Sequence, residues 1–548
     1  MNIFALRLQI AAMAVLFLGG TSPVFAASSM SKNGVTWTFD RNYTTGVYAN
    51  GDPWVVGPVT ITSISPLPVE GRNGTMINPQ IGNNQGFDKD LIAGYNDYVP
   101  ALNVGKNLPL TVPVDSSVVS SITADGWTSW NTIQMFSILT VVQSAPATGA
   151  FRPPAVGNGS RASQWNESQL DYTKLNTLAR SAISATPALS SYVQWFSYPW
   201  LELNPNWTGG YIRPSYMAPN GYGRDLAYRT GDAALLLNLD FTNAQKRDLL
   251  VGYVQVGIDN YGFLSKGGVW YNDGGHNIGR LSPVLVAAAV LNDGNMKAIL
   301  NGSLLKFHEY QSTFFVSQAD INLAHGVWNH DQQKLTGTNG DPLVLYTAAD
   351  LGKPEWGIRH TGNPELDNNY YAASYRDING ANHTAPTMAA KVMGMRSVMA
   401  WEPLFKYAER HLDYEQSAGY KGEFAYNPTP AFHKQFYNVY KNAGPGSGTG
   451  GNDGGIIPPT YSFAIGDRIQ VSKNTNVRAS GALTGTLLGV QSAASSGTII
   501  GGPVGPDADS ITWWQMNYDN GTDGWSGQDN FVKLSGQRPS KPSGFGLE

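Results

Sequence analysis

The run NAQKRDLLVGYVQVGID, Asn243 to Asp259, places Leu249, Tyr253 and Val256 at i, i+4 and i+7. That spacing gathers them on one face of a 3.6-residue helix, and Thr242 or Asn243 can cap its start. The next apolar run, LSPVLVAAAVLND from Leu281 to Asp293, reads as a buried helix. Its Pro283 falls in the first turn, where an absent backbone N–H leaves no bond unmade. The same reading predicts helices at Leu226 to Leu239, Met388 to Met395 and Trp401 to Leu412. Residues 165–442 are therefore a mainly α-helical body. Its long connections, rich in Gly, Asn, Tyr and His, are where a helical scaffold carries function.

Working outward, residues 28–152 change period. Gly34-Val35-Thr36-Trp37-Thr38-Phe39 alternates, Trp54-Val55-Val56 and Val59-Thr60-Ile61-Thr62 continue the style, and Ile138 to Val142 reads as a buried strand. Frequent Pro and Gly punctuate them, which predicts an antiparallel β-rich region. On the other side, AGPGSGTGGNDGGIIPP, residues 443–459, cannot bury a core and reads as a flexible linker. Beyond it, residues 461–534 carry short alternating strands with closely spaced turns.

The N-terminus reads as a secretory leader. Arg7 supplies the positive end, Ile10 to Leu18 the apolar run, and Val24-Phe25-Ala26 the small-x-small site, so residues 1–26 are expected to be removed by cleavage after Ala26. The apolar run is too short for a hydrocarbon core of ~30 Å, and no later stretch is long enough, so no membrane span is expected. The protein is predicted to be secreted or periplasmic. Its 548 residues allow several domains, and a hydrophobic share of 42% is enough for a sizeable core. Charged residues make up 14%, well below the usual share of about 25%, while Trp, Tyr, Asn and Gly are abundant. Such a composition suits sugar rings, which stack on aromatic faces and hydrogen-bond to amides, and equally suits a turn-rich secreted fold with aromatic core packing. The absence of cysteine excludes thiol catalysis, thiolate metal sites and disulfides. A formal charge of −4, made one unit more acidic by loss of Arg7, argues against nucleic acid as a partner.

Two loop clusters carry candidate chemistry. The first is WYNDGGHNIGR, Trp270 to Arg280, which runs into the Leu281 helix. It offers Tyr271, His276, Asn277 and Arg280 near the positive end of a helix. If the helix already runs there, His276 and Arg280 share a face, and the set suits a carboxylate or a developing oxyanion. The alternative is that Asp273 or Asn277 merely caps the helix and Arg280 is a surface ion pair. The second cluster holds Arg359 and His360, then Tyr371, Tyr375 and Arg376, then Asn382 and His383. An ordinary core does not use this mix, and a tyrosine beside a cation can serve as general acid or base. Arg224, in Tyr222-Gly223-Arg224-Asp225 before a helix, is a further binding candidate. The aromatics from Trp195 to Trp207 and in FRPP, Phe151 to Pro154, can line subsites but serve core packing equally well. His325, His330 and Asp331 match no metal spacing, and no P-loop, dinucleotide fingerprint, GxSxG or HExxH occurs, so neither metal nor cofactor is expected.

Two resemblances follow from these residues. The stretch GDRIQV (Gly466 to Val471), NVR (Asn476 to Arg478), GTIIGGPV (Gly497 to Val504), WWQMNYD (Trp513 to Asp519) and DGWS (Asp523 to Ser526) resembles the bacterial SH3 family, with an insert from Gly505 to Ser510. The resemblance implies a small β-barrel that binds cell wall, glycan or peptide. Trp514, Met516 and Tyr518 would pack it, with Trp513, Gln515 and Asn517 facing out. The body, with GGHNIGR before a buried helix, Tyr375-Arg376 in a later loop and the helix WEPLFKYAERHL, resembles in style the (α/α)-toroid catalytic domains of polysaccharide lyases and related glycosidases.

The fold expected is thus multidomain: an N-terminal β-rich region, an (α/α)-toroid-like helical body and a C-terminal SH3-like barrel. The lyase resemblance implies a carbon–oxygen lyase that cleaves a uronic-acid-containing polysaccharide by β-elimination. In that reading His276, Tyr375, Tyr371 and Arg376 are catalytic. Asn277, Arg280, Tyr271, Arg359, His360, His383 and Arg224 bind substrate. The alternatives are a glycoside hydrolase, drawing two carboxylates from Asp225, Asp273, Glu355, Glu365, Asp367 and Asp377, or a non-catalytic glycan- or wall-binding protein.

Overall fold

Alternation in the N-terminal sequence becomes alternation of burial. In the computed structural model, which describes residues 25–91, 97–128, 131–204, 222–272, 275–326, 346–357, 378–418, 420, 427–447, 463, 467–483, 485–504 and 511–534, this region is one eight-stranded sheet. Its strands are β1 (Phe25–Lys32), β2 (Val35–Val47), β3 (Pro53–Val56), β4 (Val59–Ser65), β5 (Thr75–Ile77), β6 (Leu110–Val112), β7 (Ser116–Thr128) and β8 (Asn131–Val142). The order is β5-β7-β8-β3-β2-β4-β6, with β1 added on β2; β3 and β8 run parallel and the other pairs antiparallel. The sheet forms a half-barrel. Successive residues serve opposite faces, as strand geometry requires. Val118 and Leu139 join one apolar cluster with Trp37, Phe39 and Ile61, whereas Val119 and Ile138 join another with Phe87, Phe136 and Leu203. The leader predicted for residues 1–26 falls almost wholly outside the described residues.

The middle of the chain is helical. Its elements are α1 (Leu189–Phe196), α2 (Gly223–Leu237), α3 (Asn243–Ser265), α4 (Leu281–Val290), α5 (Gly294–Ile299), α6 (His308–Gln311), β9 (Thr313–Phe315), α7 (Gln318–Gly326), β10 (Pro354–Trp356), α8 (Thr384–Val392), α9 (Arg396–Met399), α10 (Glu402–Glu415) and α11 (Ala431–Tyr440). Helix α3 begins as its sequence predicts: Thr242 Oγ1 accepts from the Gln245 N–H at 3.2 Å, and Gln245 Oε1 accepts from the Thr242 N–H at 2.9 Å. Helix α4 is buried along its whole length, with Pro283 in its first turn. The helices share one apolar core, with α3 against α4 and α1, and α2 against α8. A closed toroid is not what the described residues show.

The chain divides into two compact units, Met1–Asn452 and Asp453–Glu548, with the boundary inside the Gly-rich stretch read as a linker. The sheet and the helices therefore belong to one unit, a point the sequence left open. Arg152 ties them together: its Nε meets Asp52 from the β2–β3 turn at 2.6 Å, and its Nη2 meets Asp259 of α3 at 2.5 Å. All three side chains are buried. One guanidinium cannot neutralise two interior carboxylates, so burial pushes the Asp259 carboxyl up to about 6. Phe151 is core, and the FRPP segment thus has a structural role.

The second unit is a seven-stranded antiparallel sheet. Its strands are β11 (Arg468–Val471), β12 (Thr475–Arg478), β13 (Leu487–Gln491), β14 (Ser496–Val504), β15 (Trp513–Tyr518), β16 (Gly524–Gly527) and β17 (Phe531–Lys533), in the order β13-β12-β16-β15-β14-β11-β17. Trp514, Met516 and Tyr518 pack its core with Ile469, Val477 and Ile499, as expected. Trp513, expected to face out, is buried as well, because the segment around Gly481 lies against it: a Cβ on Gly481 would sit 3.1 Å from the Trp513 Cβ.

Candidate active site

The N-terminus of α2 and the turn from Gly275 to Arg280 interlock through glycine. A Cβ on Gly223 would lie 2.2 Å from the Gly275 carbonyl oxygen and 2.6 Å from that of His276. A Cβ on Gly275 would lie 2.2 Å from Tyr222 Oη and 2.4 Å from Asn379 Nδ2. Gly279, at φ +97°, sits over Ala227, where a Cβ would come within 2.7 Å of backbone. These approaches are open only to glycine, and they set the geometry of a polar group.

Tyr222 stands at its centre. Asn379 Nδ2 donates to Tyr222 Oη at 3.4 Å, and the His276 ring meets the Tyr222 ring edge-on with centroids 4.7 Å apart. Arg224 lies over the Tyr222 ring, 5.9 Å from its centroid. It pairs with Asp225 at 3.0 Å and donates to Asn427 Oδ1 at 2.5 Å. Tyr222, Arg224, Asp225, His276 and Asn427 all keep partial exposure, while Asn379 is buried beneath them. Tyr222, the N-cap of α2, makes no side-chain capping bond, and the Asp225 N–H returns to the Tyr222 carbonyl at 3.2 Å.

Of the residues singled out by sequence, His276 and Arg224 meet here. Arg280 does not. Helix α4 starts only at Leu281, so His276 and Arg280 share no helical face. The Arg280 side chain turns inward, where Nε pairs with Glu202 at 3.2 Å and Nη1 donates to the His276 carbonyl at 2.9 Å and to that of Ile278. Glu202 also accepts from Trp270 Nε1 at 3.2 Å. Arg280 is therefore a buried brace of the turn rather than a surface cation. Asn277 is buried too, its Nδ2 donating to the Tyr271 carbonyl at 3.0 Å. Tyr271 is 45% exposed, so its ring, unlike its carbonyl, is open to solvent. Glu309 receives the Gly279 N–H at 2.8 Å and completes the bracing; burial raises its carboxyl above the ordinary range.

His383 lies at the end of the short turn Gly380–His383 that leads into α8, fully buried, with the Tyr407 ring 5.9 Å away. Burial, then the neighbouring His308 and His411, hold it well below the ordinary histidine range, so it is neutral. Glu355 is buried 3.7 Å from Arg410, which makes it a structural carboxylate. Arg359, His360, Tyr371, Tyr375 and Arg376 lie outside the described residues, as do Asp273, Glu365, Asp367, Asp377, His330 and Asp331. Among the described residues no three His, Cys, Asp or Glu side chains gather to hold a metal ion, and no helix is long and apolar enough to cross a membrane.

Sequence reasoning passed over Asn379 and Asn427, and offered Tyr222 only as an aromatic that could line a subsite or pack the core. Asn379 carried a usable signal: it stands three residues after Arg376, in a segment already rich in Tyr and Arg. No family model, curated protein or solved structure matches this chain.

Proposed function

We propose that the protein is a polysaccharide lyase that opens a uronic-acid-containing polymer by β-elimination on an (α/α)-type scaffold, with an SH3-like module that holds it near cell wall or glycan. The observation that carries this reading is the meeting of Tyr222, His276, Asn379 and Arg224 at the N-terminal end of α2. The proton at C5 of a uronate is weakly acidic until the adjacent carboxylate is neutralised. Arg224, the Asn379 amide and the positive end of α2 are suited to that task, and stabilising the resulting enolate-like charge is usually the largest catalytic contribution. His276 then takes the C5 proton, the C4–O bond breaks as the C4–C5 double bond forms, and Tyr222 gives its proton to the departing oxygen. Tyr375, Tyr371 and Arg376 remain candidates for the same machinery. Among the described residues of this group Asp225 is the one carboxylate and is paired with Arg224; a hydrolase needs two flanking the bond, for which Asp273 and Asp377 remain the neighbouring candidates.

The test is incubation of the protein with acidic and neutral polysaccharides, reading the ultraviolet band of an unsaturated uronate alongside reducing ends. Absorbance growth that falls at least 100-fold in His276→Ala and in Tyr222→Phe is the expected result. Reducing ends without absorbance would make the protein a hydrolase, and retention on the polymer without either signal would make it a binder. Full activity in both variants would refute the residue assignment.

A further inference from the structure

A polar cleft of about 470 Å3 forms where the chain leaving β8 meets the segment 160–169, and it shares no residue with the α2 group. Its volume lies within the roughly 300–1,000 Å3 of small-ligand sites. The frame is fixed by bonds of its own. The Phe151 N–H donates to the Trp165 carbonyl at 2.9 Å and the Glu167 N–H to that of Gly149 at 2.8 Å, which ties the two chain segments together. Arg161, 3% exposed, braces the adjoining loop: Nη2 donates to Asn78 Oδ1 at 2.9 Å and to the carbonyls of Ala155 at 3.4 Å and Gly157 at 2.5 Å.

Asp115 is the informative residue. It holds φ +60°, in the left-handed region, and its Oδ1 accepts the Arg161 backbone N–H at 2.7 Å and the Ser160 hydroxyl at 3.4 Å. Oδ2 accepts no hydrogen bond among the described residues and is not one of the buried polar atoms. Arg161 lies close enough to offset the Asp115 charge from within the protein, so an incoming group needs no charge of its own. Gln143, Ser144 and Gln164 are exposed lining residues whose side chains bond to no other described residue. Gln169 spends Oε1 on the Asn166 N–H at 2.7 Å, which leaves its NH2 end to donate. The Trp165 indole N–H is spent on Asp293 at 2.9 Å, so the wall that Trp165 gives the cleft is apolar.

We infer that this cleft binds a neutral saccharide, whose hydroxyls donate to Asp115 Oδ2 and bond the amides of Gln143, Gln164 and Gln169, with the ring C–H groups against Trp165. A hydroxyl is the one group that can donate to a carboxylate and accept from an amide through the same oxygen, and bonds to a carboxylate are the strong ones. An anion would be repelled by Oδ2. A compact cation would leave the amide NH2 groups unused, and an apolar ligand would strip them of water without replacing it. Because the frame is set by backbone bonds and a buried brace, little ordering is left to be done on binding. The inference does not rest on the lyase reading: the acidic chain is cleaved at the α2 group, whereas this cleft recognises uncharged sugar.

The experiment is calorimetric titration of the full-length protein with maltotriose, cellotriose, xylotriose and mannotriose, with trigalacturonate and calcium chloride as the acidic and cationic comparisons. At least one neutral trisaccharide is expected to bind, with affinity falling tenfold or more in Gln164→Ala, in Asp115→Asn and in Ala145→Trp, which fills the cleft from an exposed position. Gln164 is exposed, so its truncation should leave the urea midpoint unchanged and separate lost binding from lost fold. Absence of binding by every neutral trisaccharide overturns the proposal, as does binding that survives both Gln164→Ala and Ala145→Trp. Tighter binding of trigalacturonate, lost in the same variants, would make the cleft a site for acidic sugar and overturn the neutral assignment. Calcium binding that is lost in Asp115→Asn, with no sugar bound, would make it a cation site and overturn the proposal as well. None of these outcomes depends on the ultraviolet test of the lyase reading, so the two stand or fall separately.

Discussion

Replacing Gly275 by alanine tests whether the glycine interlock sets the active geometry. The new methyl would sit 2.2 Å from Tyr222 Oη, 2.4 Å from Asn379 Nδ2 and 2.6 Å from Asn379 Oδ1. Ordinary contact needs roughly 3.4 Å or more, so the Tyr222 hydroxyl or the turn must retreat by roughly 1 Å. Overpacking of this kind costs about 1–3 kcal/mol, read as a lower urea midpoint. Misplacement of a reacting group by about 1 Å costs about 100-fold in rate, read as slower growth of the unsaturated-uronate band. Gly294→Ala is the matched control, because nothing lies within 4 Å of its Cβ and it opens a helix. It should leave both readings unchanged or raise stability slightly. Adding Tyr222→Phe to Gly275→Ala removes the atom nearest the new methyl and should restore part of the lost stability. It should restore none of the activity, since the proposed proton donor is gone. Gly275→Ala with native stability and full turnover would refute the claim that this close approach organises the site.

Asp259 gives a pH signature. Its carboxyl is held at about 6 in the folded protein, above the ordinary 3.8. The folded state therefore keeps a proton that the unfolded state releases, and the contribution of this group is full below about pH 4 and lost as pH rises through about 6. The stability of wild type relative to Asp259→Asn should accordingly fall by up to roughly 3 kcal/mol between pH 4 and 6 in urea titrations; a flat difference would contradict it. Truncation after Asn452 removes the second unit and should spare turnover of soluble polymer while weakening action on insoluble material, through lost effective concentration. Equal loss on both would mean that the second unit supports the fold of the first.

The elements themselves were legible because local chemistry decided them. Thr242 and Gln245 form a capping box from four consecutive positions, Pro283 fits only a first turn, and Val118 and Val119 must face opposite ways. The Gly-rich run that could bury nothing falls at the unit boundary. What escaped was decided by partners distant in sequence. Glu202, 78 positions from Arg280, draws that cation inward. Gly279 at positive φ bends the chain before α4 can start, so the i, i+4 relation of His276 to Arg280 never forms. Asn379 reaches Tyr222 across 157 positions, and no periodicity in either segment encodes that meeting. Trp513 obeyed strand alternation in direction, but a loop around Gly481 covered the face it points to.

Three buried arginines show why exposure is a poor guide to function in this chain and partner chemistry a better one. Arg152, Arg161 and Arg280 are all at most 3% exposed. Arg152 faces two carboxylates, so its surroundings already carry more negative charge than it can neutralise, and a further anion would be repelled. Arg280 faces Glu202 and two carbonyls of its own turn; its charge is spent on holding His276 where Tyr222 can meet it. Removing either arginine would strand a carboxylate in the interior, at a cost of about 3–5 kcal/mol, which marks both as structural. Arg161 donates to Asn78 and to the carbonyls of Ala155 and Gly157, with Asp115 and Arg152 as its charged neighbours, so it too braces the chain around it. Arg224 differs from all three: its 23% side-chain exposure, with Asp225 beside it, suits it to the carboxylate-binding part of the proposed function that the sequence reading gave to Arg280.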